Sequence, residues 1–162
     1  MESIESLLEH VRTLHKSGKT VVFTNGCFDL LHQGHIDFLR RARALGDFLV
    51  VAINTDNSVQ RLKGRNRPIV PEEERAELLA GLEMVDAVCL FDQDTPLETI
   101  LKIRPDVLVK GGDWGLEHIV GRAEVEGWGG QVLALPVLEN HSTSGIIERV
   151  LARYGNSGKA NQ

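Results

Sequence analysis

The stretch TNGCFDLLHQGHIDFL, residues 24–39, gathers groups that can do chemistry. His32 and His35 stand three apart with Gly34 between them, and Cys27 and Asp29 lie just upstream. Three chemistries suit these types. Two imidazoles with a thiolate or carboxylate can ligate zinc, an activated thiol can attack an electrophile, and imidazoles at a helix start can cradle phosphate. Zinc wants further ligands, and the helical H-E-x-x-H spacing of catalytic zinc sites is absent, so no metal is assigned to the pair. No base-and-orienter arrangement is legible around Cys27, which reads as a small half-buried filler. A phosphate cradle keeps its appeal, because Gly34 removes a side chain where a ligand must come close. The plain alternative is two solvated surface histidines.

The bulk numbers bound the rest. A chain of 162 residues with 42% apolar and 25% charged residues suits one ordinary globular domain. The formal charge of -5 argues against broad nucleic-acid binding, which wants a basic stripe. Two cysteines, at 27 and 89, make neither a disulfide framework nor a zinc ribbon, and point to a reducing compartment. The N-terminus is too polar for a signal peptide or a membrane span, so a cytoplasmic location with no membrane partner is expected.

These groups must be positioned by an alternation of elements. Apolar residues at Ile4, Leu7, Leu8, Val11 and Leu14 predict a helix over 2–16, and Ser17-Gly18 ends it. Strands are expected at 19–25, 47–54, 86–91, 106–112 and 131–138, each a short β-branched or aromatic run. Helices are expected at 34–46, 71–82, 95–105 and 142–155, with a less defined one near 121–128. Thr95 is expected to cap its helix with Pro96 at the first position, and Pro71 with acids behind it to open another. Residues 55–68 are polar and read as a loop, and 156–162 as a disordered tail after a single domain over 1–155.

Strands that are apolar throughout imply a parallel sheet covered on both faces, a Rossmann-like doubly wound α/β fold of about five strands. Ligands then bind at the carboxyl ends of the strands. Those ends read TNGCFD, NTDN, FDQD, KGGDW and LENHST. These polar and glycine-rich segments hold Asn25, Gly26, Cys27, Phe28 and Asn54, with Lys110, Gly111, Gly112, Asp113 and Trp114. Gly111 and Gly112 permit close backbone approach, and Asp113 can accept from a ribose or sugar hydroxyl. Ser142, Thr143 and Ser144 open the last helix, where any of them can cap it. Arg75 sits in the first turns of a helix, a place the dipole disfavours for a cation, and this suggests an anionic ligand unless Glu72 to Glu74 pair with it. No G-x-x-x-x-G-K-[ST] occurs, and no G-x-G-x-x-G follows the first strand, so P-loop kinases and ordinary dinucleotide dehydrogenases lose support.

Taken together, TNGCFDLLHQGHIDFLRRARALGD, VAINTDNSVQRLKGRNRPIVPEEERAELLAGLEMVDAV, DTPLETILKIRPDVLVKGGDW and STSGII resemble the cytidylyltransferase-like nucleotidyltransferases, with their H-x-G-H element. Within that superfamily they are most similar to the bacterial D-glycero-D-manno-heptose 1-phosphate adenylyltransferases. The resemblance covers about Lys19 to Tyr154. It implies transfer of AMP from ATP to a heptose 1-phosphate, with Mg2+ on the triphosphate, as a step toward the lipopolysaccharide core. It gives His32 and His35 the nucleotide phosphates, and Lys63 and Arg67, with Arg65 a weaker candidate, a phosphate-binding loop. It puts Lys110 and Asp113 in the active site and the outer phosphates on the Ser142–Thr143 segment. Beside the phosphates, Asp29 must meet Mg2+ or a sugar hydroxyl. The stretch LENHSTS lacks the basic residue of the R-T-x-G type found in CTP-using relatives, which weakens CTP and leaves His141 without a role. Some relatives carry a sugar kinase domain ahead of this one, and the kinase step is expected on another polypeptide. A homodimer is expected from the family and from the apolar stripe of the first helix. The competing readings are a glycerol-3-phosphate-type cytidylyltransferase, a nucleotide-binding sensor and a metal-dependent hydrolase.

Overall fold

The computed structural model describes residues 4–112 and 115–155. Five strands form one parallel sheet: β1 (Val21–Gly26), β2 (Phe48–Asn54), β3 (Ala87–Phe91), β4 (Val107–Gly111) and β5 (Gln131–Leu135), in the order β3-β2-β1-β4-β5. Side chains alternate across a strand, yet both sets here are apolar because helices cover both faces. On one face Val21, Phe23, Val50, Ala52 and Leu108 pack with Leu7 and Val11 of α1 (Ile4–Lys16), Ile100 and Ile103 of α5 (Leu97–Ile103), and Val125 of α6 (Arg122–Gly127). On the other, Val22, Leu49, Val51, Ile53 and Val109 meet Phe38, Leu39 and Ala42 of α2 (Gln33–Arg43), and Ala76 and Leu79 of α4 (Glu72–Ala80). The remaining helices are α3 (Asp56–Lys63) and α7 (Thr143–Tyr154).

Aspartates set the amino edge of the sheet. Asp47 accepts from the Thr20 N–H at 2.9 Å, Asp106 from Val21 at 2.7 Å, and Asp86 from Leu49 at 2.8 Å. Each carboxylate lies just ahead of one strand and holds the start of its neighbour, which fixes the stagger without using the carboxyl edge. At that opposite edge the ladder between β1 and β4 carries only two paired positions, Val22 with Val107 and Phe23 with Leu108. Beyond them side chains bridge the strands: the Thr24 hydroxyl donates to the Val109 carbonyl at 2.8 Å, and Lys110 reaches Asn25. This is also where the strand order reverses, the position at which open α/β sheets bind ligands.

Three expectations need correction. Residues 55–68 are not all loop, because Asp56–Lys63 is helical with Thr55 accepting from the Ser58 N–H. That helix buries only Ser58 and Val59, so it shows little apolar period, though its cap was written in the sequence. Thr95 does not cap α5, whose N-cap is Pro96 with no side-chain bond. Finally, the α1 stripe is used at home: Leu7 and Val11 are fully buried, and Ile4, Leu8 and Leu14 pack on the same core. It leaves no apolar surplus to argue for a dimer. The expected tail at 156–162 lies outside the described residues.

Candidate active site

The chain leaves β1 at Gly26 and turns through Phe28, which takes a left-handed φ of 46°. Its ring folds back under Gly26, where an added Cβ would come within 2.9 Å of it, so glycine is required there. The same ring lies 5.1 Å from His35 and supports it from the side. His32 is the N-cap of α2, in extended backbone, and no side chain caps that helix. The His35 and Ile36 N–H groups donate to the His32 carbonyl, so the Gln33 and Gly34 N–H groups and the positive dipole end are what this helix start offers an anion.

The two imidazoles stack, with ring centroids 3.7 Å apart and planes at 21°. Gly34 makes this possible from an unforeseen side: a Cβ there would come within 3.1 Å of both the His32 ring and the His141 side chain. Both histidines have a buried Nδ1 with no partner. Buried polar atoms are nearly always bonded, so these two depart from the usual pattern. Burial, and then the charge of His32, push His35 down to about 4, and burial, then His141, push His32 down as well. Both rings are thus neutral at physiological pH and offer N–H groups rather than fixed charges. The sign of the stability effect follows. A base with a folded pKa below its unfolded 6.5 takes its proton more readily in the unfolded chain, so stability falls as pH drops from about 6.5 toward 4. Moving from pH 7.5 to 5 should cost the wild type about 1 kcal/mol more than His35→Gln, allowing for partial exposure of the ring. Urea unfolding of both at the two pH values checks this, and equal losses would contradict it.

Two joined cavities open here. The inner one, about 320 Å³, is lined by His32, Gly34, His35, Phe38, Val137 and His141. The outer one, about 620 Å³, is lined by Asn54, Lys63, Arg67, Asp94, Thr95 and His118, among others. Asn25, Gly26, Cys27, Phe28, His35, Lys110, Gly111, Ser142 and Thr143 belong to both. Lys110 donates to Asn25 Oδ1 at 2.9 Å, and burial pushes its ammonium down. Ser142 caps α7 by accepting from the Gly145 N–H at 3.0 Å, and Thr143 Oγ1 donates to the Leu30 carbonyl. Burial pushes the Cys27 thiol up, against Lys63, Arg75 and Arg67, so it is no thiolate at neutral pH.

Two residues expected to touch ligand find partners within the protein, although Asp29 also lines the outer cavity. Arg75 is fully buried, and its guanidinium donates to the carbonyls of Cys27 at 2.6 Å, Val70 at 2.9 Å and Asn54 at 2.9 Å, and to Asp56 at 2.7 Å. It braces the ends of β1 and β2 from beneath and does not reach the cavity. Of the expected partners, Glu72 instead accepts from the Asp56 N–H. Asp29, 1% exposed, accepts from the Ile69 and Val70 N–H groups at 2.8 and 2.9 Å and from Arg67. All this ties the 67–70 segment to the histidine loop, which explains a carboxylate so close to a phosphate site. Gly112, at φ 115°, donates to the Leu135 carbonyl and lines neither cavity, a place taken by Gly111. Arg65 is exposed and lines neither. Asp113 and Trp114 lie outside the described residues.

Sequence reasoning missed Phe38, Val137, Thr95, Pro96 and the His118–Val120 turn as lining residues. Thr95 and Pro96 follow a strand end already named as a ligand-binding edge, so position carried that signal. Phe38 gave none, because its place on α2 reads as core. Among the described residues no group of three or more His, Cys, Asp or Glu side chains is placed to hold a metal ion, and no helix is long and apolar enough to cross a membrane.

Residues 23–149 match the cytidylyltransferase-like family. The chain is 53% identical over 150 residues to the bifunctional protein HldE of Syntrophotalea carbinolica, covering 93% of this chain and 31% of that one. It is 55% identical over 143 residues to the bifunctional protein HldE of Koribacter versatilis, covering 88% and 29%. The chain thus spans about 30% of the length of these curated relatives. Among solved structures, the lipopolysaccharide core biosynthesis protein from Thermoplasma volcanium GSS1 superposes with a TM-score of 0.62 at 30% identity, covering 76% of this chain and 100% of that one. A macrolide-efflux protein from Streptococcus pneumoniae, at 21% identity and a TM-score of 0.61, covers 82% of this chain and 52% of that one and shares the fold alone. On its match over residues 23–149, the chain belongs to the cytidylyltransferase-like family of nucleotidyltransferases.

Proposed function

We propose that this cleft transfers AMP from ATP to a heptose 1-phosphate, giving ADP-heptose and pyrophosphate, a precursor step for the lipopolysaccharide core. The observation that carries the reading is the stacked pair of neutral imidazoles. They line one cavity and sit at a helix start with no side-chain cap, on the carboxyl edge of the sheet. A phosphate oxygen of the sugar 1-phosphate attacks the α-phosphorus of ATP. The new P–O bond forms as the bond to the β-phosphate breaks, and both electrons of that bond leave with pyrophosphate. The attacking oxygen is already ionised, so no general base is needed, and the protein supplies position and charge stabilisation. His32 and His35 donate to the nucleotide phosphates. Lys63 and Arg67, on the outer cavity, draw in the anionic acceptor, and Ser142 and Thr143 take the outer phosphates.

Magnesium enters only as the counter-ion of the triphosphate. Among the described residues no donor set fits a resident metal, and Asp29, a carboxylate beside the histidines, is committed to Arg67, Ile69 and Val70. A cytoplasmic location and a homodimer belong to this reading through the family resemblance, and sedimentation of the purified protein tests the second. With Cys27 protonated and its Sγ 3.7 Å from Asn54 Oδ1, Cys27→Ser should keep at least about a third of wild-type turnover. Its complete loss would return the thiol to the chemistry. To test the reaction itself, ATP and D-glycero-D-manno-heptose 1-phosphate are incubated with the protein and the product is weighed by mass spectrometry. An ADP-sugar supports the proposal, whereas a CDP-product formed only from CTP and glycerol 3-phosphate would replace it.

A further inference from the structure

The inner cavity holds three imidazoles rather than two. The third, His141, stands between the left-handed residue Asn140 (φ 62°) and the N-cap Ser142 of α7. Its Cβ lies 3.1 Å from where a Gly34 Cβ would be, so the α7 approach is packed onto the start of α2. His141 Nδ1 is 2.7 Å from the Glu139 carbonyl oxygen. A carbonyl can only accept, so Nδ1 carries the proton and Nε2 is the nitrogen left for a ligand. The side chain is exposed, unlike the partly buried His35.

Charge in this cavity is sparse. Lys63 and Arg67 line the outer cavity and not the inner one. The other cation on the inner lining is Lys110, whose ammonium is already bound to Asn25. The inference rests on the nucleotidyl-transfer reading, which puts the outer phosphates on Ser142 and Thr143. His141 adjoins them and lines the cavity of the histidine pair, not that of Lys63 and Arg67. We propose that His141 is a third phosphate-binding imidazole, whose Nε2, once protonated against the anion, donates to the terminal phosphates of the nucleotide and holds pyrophosphate as it leaves.

Calorimetric titration with inorganic pyrophosphate, and separately with adenosine, tests this on wild type, His141→Ala and His141→Lys. The exposed position makes all three expected to fold. Loss of one charge-assisted donor should weaken pyrophosphate binding about tenfold in His141→Ala, with adenosine binding unchanged. His141→Lys, which keeps a cationic donor, should recover most of it. The KM for ATP should rise by a similar factor in His141→Ala while the KM for the sugar 1-phosphate stays put. Unchanged pyrophosphate binding overturns the inference, and so does a loss confined to adenosine, which would make His141 a base contact. Either result with a wild type that turns over ATP leaves nucleotidyl transfer standing. A wild type that binds neither ATP nor pyrophosphate removes both.

Discussion

Replacing His35 by alanine lowers the rate of nucleotidyl transfer about 10²–10³-fold while leaving the fold in place, the usual cost of removing one donor aimed at developing charge. The structure says why this residue should show the larger effect of the pair. His35 lines both cavities, stacks on His32 at 3.7 Å, and is held from the other side by Phe28 at 5.1 Å. A ring gripped on two sides is preorganised, so it needs no reorientation when charge builds on the phosphates. Folding is little affected because the unsatisfied nitrogen leaves with the side chain. Circular dichroism and single-turnover kinetics on the variant make the check. Near-normal turnover would mean that the histidines are not phosphate donors.

Arg75→Met should be the most damaging single change to stability, at about 3–5 kcal/mol. The guanidinium ties together Cys27, Asn54 with Asp56, and Val70, from three separate places in the chain, and is wholly buried while doing so. Removing it takes a buried donor from three carbonyls and a salt-bridge partner from the partly exposed Asp56. Arg75→Lys should recover only a small share, since an ammonium cannot span the fork of acceptors that a planar guanidinium matches. Urea unfolding of both variants gives the numbers. A loss below about 1 kcal/mol for Arg75→Met would show that the brace is dispensable, and would reopen direct ligand contact for this residue.

The same residue shows where reading the sequence stopped. A cation in the first turns of α4 was a legible anomaly, and it suggested an anionic ligand or the neighbouring Glu72 to Glu74. The oxygens it meets are the protein's own, at the ends of β1 and β2, and nothing in a linear string says that two strand ends and the turn after Asp56 meet there. Asp29 follows the same pattern: its type promised a polar partner, but only the folded 67–70 segment shows that the partners are backbone N–H groups. The parallel sheet, by contrast, was written plainly, because strands apolar on both sides have few other homes. So was the location of the cleft, since the polar and glycine-rich segments all follow strands. Helix α3 was lost because one buried apolar residue, Val59, cannot establish a period. Gly34 was expected to make room for a ligand; in the fold it makes room for His141 and the His32 ring.

Pyrophosphate release from the wild-type protein, measured over ATP, CTP and GTP against several sugar phosphates, tests the central claim most directly. The account predicts release that requires both substrates, is fastest with ATP and a heptose 1-phosphate, and yields one pyrophosphate per nucleotide consumed. Nucleotide binding without pyrophosphate release in any combination would contradict it, and would make the same histidine clamp the floor of a nucleotide sensor.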